Sequence, residues 1–406
     1  MKRFTLIGIL VLVALTGCTR EPVPTPDKRG VISWDAGMEN GSATKAYPTG
    51  YGAYPTAASF GAFALQTGDH WADAHTFSAY INNEEVSYSQ DPETSQYAWT
   101  TYGEYYWPQS GYLHFAAYSP YSTLHSYVTF SSAKKDQGLT IGESTPFVLP
   151  TNKVNQTYIT ELGTGNILAY DYDLLVSEYT DADYDCAETA AHGFQPVLDG
   201  QTDPASQYGS GYKPGVHTRF RHIMTRLCFQ FKMGNVETSY NQRIYVQSIK
   251  LTNLQDKGTY KSGKTDNSGA WALDNHQETE SVLYSVTDEQ IRSGSVTPIT
   301  STTEATVLVD NYFALPQTLR DELDPTPQQL TITYQIYTVI DGVIYWDKTV
   351  ETPATLLRSG AVQSWEKGKM VTYTISLSPA QTAISFTASM EAWPASGSWN
   401  VFTITG

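Results

Sequence analysis

Apolar and polar residues alternate with a period of two in several stretches of this chain, and that period predicts strands with one wet face. The clearest are Leu330–Ile336 (LTITYQI) and Ile384–Met390 (ISFTASM). Leu227, Phe229, Phe231 and Met233 repeat the pattern, and Val307–Val309 and Val371–Ile375 are shorter examples. The first strand predicted is Val31–Trp34 (VISW). Turn-forming clusters such as Ser262-Gly263 and Asp266–Gly269 lie between such runs. Helical patterns are short, as at Thr287–Ile291. No self-similarity recurs at a fixed period, which argues against a solenoid or propeller. Strands without alternating long helices predict antiparallel β-sandwiches. The 406 residues suggest two of them. The polar, Gly/Pro-rich stretch 185–215 is the expected boundary, giving units at 31–212 and 213–406.

The N-terminus breaks the pattern. Lys2 and Arg3 precede the uncharged apolar run Phe4–Ala14, too short to span a bilayer as a helix and suited to a secretory signal. It exits through Leu15-Thr16-Gly17-Cys18, which resembles the lipobox of bacterial lipoproteins. Residues 1–17 are thus expected to be a signal cut between Gly17 and Cys18, with the Cys18 thiol joined to lipid. Several acyl chains on one residue hold durably, at about 0.8 kcal/mol per buried CH₂. Residues 18–30, carrying three prolines, read as a tether, reaching roughly 40 Å when extended. The expected location is the outer membrane or cell surface.

Tyrosine (29) outnumbers phenylalanine (14), as suits an exported β-rich protein. The formal charge of −16, about −18 once Lys2 and Arg3 are lost, argues against nucleic acid or anionic lipid surfaces as partners. Cys186 and Cys228 remain after lipidation. A disulfide between them is one reading; a buried free thiol at Cys228, within an alternating apolar stretch, is the preferred one.

No catalytic or metal motif survives weighing, and no cofactor is expected. Asp181, Asp183, Asp185 and Glu188 lack the turn glycine and terminal acid of a calcium loop, with Cys186 at the sixth position. Asp69, His70, Asp73 and His75 cluster without a cysteine, and metal there is disfavoured. There is no G-x-S-x-G elbow or H-E-x-x-H helix. A glycosidase would need two acids converging in space, which linear spacing does not carry. His222 has no second ligand at metal spacing and reads as a satisfied core or edge histidine. The aromatic run Trp99, Tyr102, Tyr105, Tyr106, Trp107 and Tyr112 is read mainly as core, with stacking on sugar rings as the alternative.

Several segments taken in order resemble the fimbrillin family, the subunits of type V pili of Gram-negative gut and oral anaerobes. Tyr80-Ile81-Asn82-Asn83, Val86-Ser87-Tyr88 and Trp99 lead into Tyr106-Trp107-Pro108, Gly111, Leu113, Phe115, Ala117-Tyr118 and Pro120. Asp173-Leu174-Leu175, Phe220 with His222 and Leu227, and Leu315-Pro316-Gln317-Thr318 follow. Trp365, Gly368, Tyr373 and Ile375, then Ile384–Trp393, complete the series. The resemblance implies two tandem transthyretin-like β-sandwiches, no enzyme activity, and export as a surface lipoprotein. It further implies that a trypsin-like protease removes the lipid and first strand, opening a groove that a neighbouring subunit's strand fills. Such β-augmentation satisfies both an unpaired sheet edge and an apolar slot.

The family's cleavage arginine is expected where Lys45-Ala46 stand; lysine here departs from an arginine-specific protease. Arg29-Gly30 is the lesser candidate, since a cut before the first strand would open no groove. Trp399, Val401 and Thr403 alternate near the C-terminus as a candidate donor strand, or form this subunit's own last strand. The expected partners are other pilus subunits, outer-membrane lipid through Cys18, and a host or bacterial surface ligand. The expected role is a pilus subunit or its membrane-proximal anchor, rather than a tip adhesin with an appended lectin. The alternative, from another class, is a surface glycan-binding lipoprotein.

Overall fold

The structure, a computed structural model, describes residues 30–38, 52–70, 74, 76–90, 95–130, 138–149, 173–202, 215–234, 241–262, 269–274, 280–378 and 384–392. These residues are folded almost wholly as β-structure, and no described helix is long and apolar enough to cross a membrane. Cys18, Lys45, Ala46, Arg29 and the Trp399–Thr403 segment lie outside the described residues.

In chain order the first part carries β1 (Trp34–Met38), β2 (Gly52–Ala53), β3 (Phe60–Thr67), β4 (Ser78–Gln90), β5 (Tyr97–Thr101), β6 (Tyr112–Ser119), helix α1 (Tyr121–Leu124), β7 (Val128–Phe130), β8 (Leu139–Ile141), β9 (Phe147–Val148), β10 (Leu175–Asp185), helix α2 (Cys186–Ala191) and β11 (Val216–His222). Strands β11, β10, β6, β3, β4, β5 and β1 lie side by side, and β1 also pairs with β11, so the sheet closes into a ring of seven strands. Strand β2 hangs on the end of β1, Met38 facing Gly52.

Strands β3 (FGAFALQT) and β6 (YLHFAAYS) show no alternation because both their faces are covered. Phe60, Ala62, Ala64, Leu113, Phe115 and Ala117 line the inside of the ring. Phe63, Ala116 and Tyr118 face a second core completed by Leu139, Ile141, Phe147, Ile223, Met224 and Phe313. That second core joins the two parts of the chain.

The second part carries β12 (Thr225–Met233), β13 (Gln242–Thr252), β14 (Lys257–Lys261), β15 (Ala270–Leu273), β16 (Ser281–Ser285), helix α3 (Asp288–Arg292), β17 (Thr306–Ala314), β18 (Gln317–Thr318), β19 (Gln329–Ile340), β20 (Val343–Glu351), β21 (Thr355–Leu356), β22 (Ser364–Trp365), β23 (Lys369–Leu377) and β24 (Ser385–Ala392). One sheet runs β17-β12-β23-β24 and another β16-β13-β19-β20, and a single core links them. Phe229 and Tyr373 stack in it, ring centres 5.2 Å apart. Alternation is plain here: β23 buries Val371, Tyr373, Ile375 and Leu377 and leaves the residues between them half-exposed. Thr287 and Gln290 form a reciprocal capping box that starts α3. Strand β14, which also pairs with β15, pairs with β8 and β9 of the first part, a further tie between the two.

Two features go beyond a purely antiparallel plan. Strands β1 and β11 pair in parallel, as do β12 and β23. Strand β11, which follows the expected boundary at 212/213, pairs with β1 and β10. The chain therefore passes from the ring to the sandwich between His222 and Thr225.

Candidate functional site

The first strand and its seat form the most informative site. Strand β1 is held by both edges. On one side Trp34, Asp35, Ala36, Gly37 and Met38 run parallel to Val216, His217, Thr218, Arg219 and Phe220. On the other, Trp34 faces Trp99 of β5, and Gly37 faces Ala53 of β2. The residues ahead of it are pinned too: Ile32 N–H donates to the Tyr105 carbonyl at 2.7 Å, and Trp107 N–H to that of Gly30 at 3.2 Å. Gly215, at φ +127°, lets the neighbouring chain come this close, because a Cβ there would lie 2.7 Å from the Trp34 carbonyl carbon.

The strand's two faces do different work. Inward, Ile32, Trp34 and Met38 are buried in the ring's core, Trp34 meeting Phe60 and Phe115 edge-on, each at 6.4 Å. Outward, Asp35 meets two side chains of β11. Its Oδ2 lies 2.6 Å from Arg219 Nη2 and 3.2 Å from His217 Nε2. Arg219 Nη1 also donates to the Asp35 carbonyl. The Asp35 and Arg219 side chains are only 11% and 10% exposed. Burial pushes the Asp35 carboxyl upward, but hydrogen bonds and charge from His217 and Arg219 outweigh it and hold the group down at about 2. Burial is the main influence that lowers His217, against the opposing pull of Asp35. The cluster is therefore a carboxylate held by a guanidinium with a neutral imidazole alongside.

Sequence reasoning placed the first strand at Val31–Trp34; the ladder itself begins at Trp34, while Val31 makes an isolated bridge to Tyr106. The Asp35–His217–Arg219 cluster was not foreseen. Its signal was a histidine and an arginine two apart on one strand face, with no local cue to the acid some 180 residues upstream.

The other candidates resolve separately. His222 is satisfied by Asp173 at 2.8 Å, in keeping with a core histidine. Asp183 pairs with His114 at 3.2 Å, and Asp185 caps α2 by accepting from Ala187 and Glu188 N–H groups, so these acids do not converge on a cation. His70 meets Asp199 at 2.5 Å, while Asp73 and His75 lie outside the described residues. Among the described residues no three metal-ligating side chains cluster. Cys186 and Cys228 are both buried free thiols, raised to about 12 and about 11, chiefly by burial.

The aromatic run divides. Trp99 and Trp107 are 6% and 1% exposed and belong to the ring's core, whereas Tyr102 is fully exposed. Burial takes Trp99 and Trp107 out of the set of aromatic faces open to a sugar ring. A feature the strand pattern did not flag lies elsewhere. The β19–β20 hairpin turns at Asp341-Gly342 and exposes Ile340, Val343, Ile344, Tyr345 and Trp346, and among the described residues β20 ends its sheet.

A family model described as fimbrillin-like matches residues 200–393, from before β11 to the residue after β24. Over that span the chain resembles the fimbrillin-like family. Three solved structures are similar to this chain. A fimbrial protein from Bacteroides vulgatus is 19% identical, with a TM-score of 0.49, over 89% of this chain and 99% of that one. A candidate cell adhesion protein from Bacteroides uniformis is 12% identical, with a TM-score of 0.44, over 90% and 99%. The tip fimbrial protein of Porphyromonas gingivalis, with a C-terminal truncation, is 11% identical, with a TM-score of 0.33, over 83% and 94%. The comparison with curated proteins returns no match.

Proposed function

We propose that this fimbrillin-like chain is a non-catalytic structural subunit, or the membrane-proximal anchor, of a type V-like cell-surface pilus that supports adhesion. Cys18 carries the lipid that holds the exported chain to the outer membrane. A trypsin-like cut at Lys45-Ala46 then frees residues 18–45, including β1, and a strand of a neighbouring subunit takes the vacated seat. The observation that carries this reading is the way β1 is held: by hydrogen bonds on both edges and by three buried apolar side chains. Its chain link to the ring beyond Met38 passes through residues 39–51, which contain Lys45.

The chemistry of the vacated seat favours refilling. Losing Ile32, Trp34 and Met38 from the core forfeits about 1.5–3 kcal/mol each in apolar burial. It also leaves edge amides and carbonyls of β11 and β5 without their ladder partners, which another strand restores by addition to the sheet. Gly30 supports the choice of Lys45 over Arg29. A Cβ at Gly30 would stand 2.3 Å from the Phe194 Cβ, so the residue after Arg29 is closely packed, and packed backbone resists proteolysis.

The test is the N-terminal mass of the protein recovered from its own cell surface. A polymerised chain beginning at Ala46 supports the processed subunit, and a lipidated Cys18 supports the anchor. An unlipidated monomer that keeps β1 overturns both.

A further inference from the structure

At one end of the ring, the end of β3, the run into β4 and the turn ahead of β6 meet around an open cavity of about 450 Å³. The ladders bring them together, Gln66 facing Ser78 across β3–β4 and Thr67 facing Tyr112 across β3–β6. The cavity shares no residue with the seat of β1. Its volume lies within the roughly 300–1,000 Å³ usual for small-molecule sites, and the mouth of a β-barrel is a common place for one.

The wall is polar yet uncharged. Gln66, Thr67, Thr76, Ser78 and Ser110 supply one amide and four hydroxyls, and among the described residues no ionisable side chain lines the cavity. The half-buried ring of Phe77 adds the single aromatic face. We propose that this cavity binds a neutral terminal sugar of a surface glycan. The proposal gives the adhesive part of the reading above its ligand class, and rests on that reading for its use.

The chemistry of a pyranose matches the wall at both its ends. Its rim hydroxyls each donate and accept, as do the hydroxyls and the amide that face them. Its C–H face is apolar and suits an aromatic ring such as Phe77. Charge beside the mouth selects against acids. The Tyr112 hydroxyl, one residue past Gly111, is raised first by burial and then by Asp185, Asp199, Asp183 and Asp69. That negative field disfavours sialic and uronic acids.

The wall is also set before a ligand arrives. Cys186 N–H donates to the Gly111 carbonyl at 2.9 Å, and a Cβ on Gly111 would stand 2.5 Å from the Thr67 carbonyl oxygen. His70, paired with Asp199, packs on the Tyr112 ring with centres 4.6 Å apart. Groups already held in place lose little freedom on binding.

The experiment offers the full chain a printed array of neutral and sialylated glycans, followed by calorimetric titration with the free sugar of strongest response. We expect a neutral glycan to bind and its sialylated counterpart to bind at least about tenfold more weakly. Phe77→Ala should weaken binding at least about tenfold, and Gln66→Ala about fivefold. Gly68→Leu guards against a folding artefact. A Cβ there meets nothing within 4 Å, so the variant should keep its melting temperature while its side chain crowds the cavity wall and cuts binding at least about tenfold. Tyr102→Ala, at the exposed member of the 99–112 run, should change nothing. An array with no neutral response, a preference for sialylated glycans, or binding that survives Gly68→Leu overturns the site. Each of these leaves the pilus reading standing, because the N-terminal mass of the assembled chain does not depend on any sugar.

Discussion

The ring and the sandwich treat their terminal strands in opposite ways. Strand β1 at the start of the ring has partners on both edges, inward residues deep in a core, and a buried charge cluster on its outer face. Strand β24 at the end of the sandwich has one partner among the described residues, β23, and its inward residues Phe386, Ala388 and Met390 are only partly buried. An edge strand can leave at the cost of one ladder. A strand that closes a ring leaves two open ladders and a hole in the core. A first strand so placed is costly to lose and makes a specific seat once lost.

Removing the indole tests this contrast most severely. Trp34→Ala should cost about 3–5 kcal/mol in denaturant unfolding, and Phe386→Ala on β24 about 1–2 kcal/mol. Equal losses would break the comparison. Next comes the outer face: Asp35→Ala should cost about 3 kcal/mol, because it withdraws the carboxylate from a nearly buried guanidinium, while Asp35→Asn should cost less by keeping an acceptor.

Acid should sharpen the same point more gently. His217 is held below its ordinary value of 6.5, so the unfolded chain takes up the proton first. Its contribution is intact above about 6.5 and declines as pH falls below that value, a step that His217→Gln should erase from a pH–stability curve. Asp35 has its pKa lowered from 3.8 to about 2, so its contribution is present above 3.8 and is lost as pH falls through about 2. The smallest effect belongs to the exposed hairpin. Replacing Tyr345 and Trp346 by serine should change stability by no more than about 0.5 kcal/mol per site, since both are more than half exposed.

The sandwich was largely legible in the sequence because its strands have one wet face. The alternating runs at 227–233, 330–336 and 371–375 fall on strands β12, β19 and β23, and that at 384–390 falls on β24 but for Ile384, one residue ahead of it. The helix expected at Thr287–Ile291 is there, one residue along, with Thr287 as its cap. The ring was harder to read. Strands β3 and β6 are covered on both sides, so the two-residue period vanishes from Phe60–Thr67 and Tyr112–Ser119. Pairing was not legible at all: nothing local in Trp34–Met38 names Val216–Phe220 as its partner. The in-or-out choice along 99–112 also depends on that closure, which buries Trp99 and Trp107 and leaves Tyr102 in water. The part of the site that alternation did expose was its apolar half, since Val31–Trp34 reads as a strand and Asp35 falls just beyond it.

The parallel ladder between β1 and β11 also sets an order of events. Its partners are about 180 residues apart, a closure whose entropy must be met before any of its contacts form. A chain emerging from its amino end presents Trp34 long before Val216 exists to receive it. The first strand to be made is thus among the last to settle, and the lock is finished only after most of the door has been built.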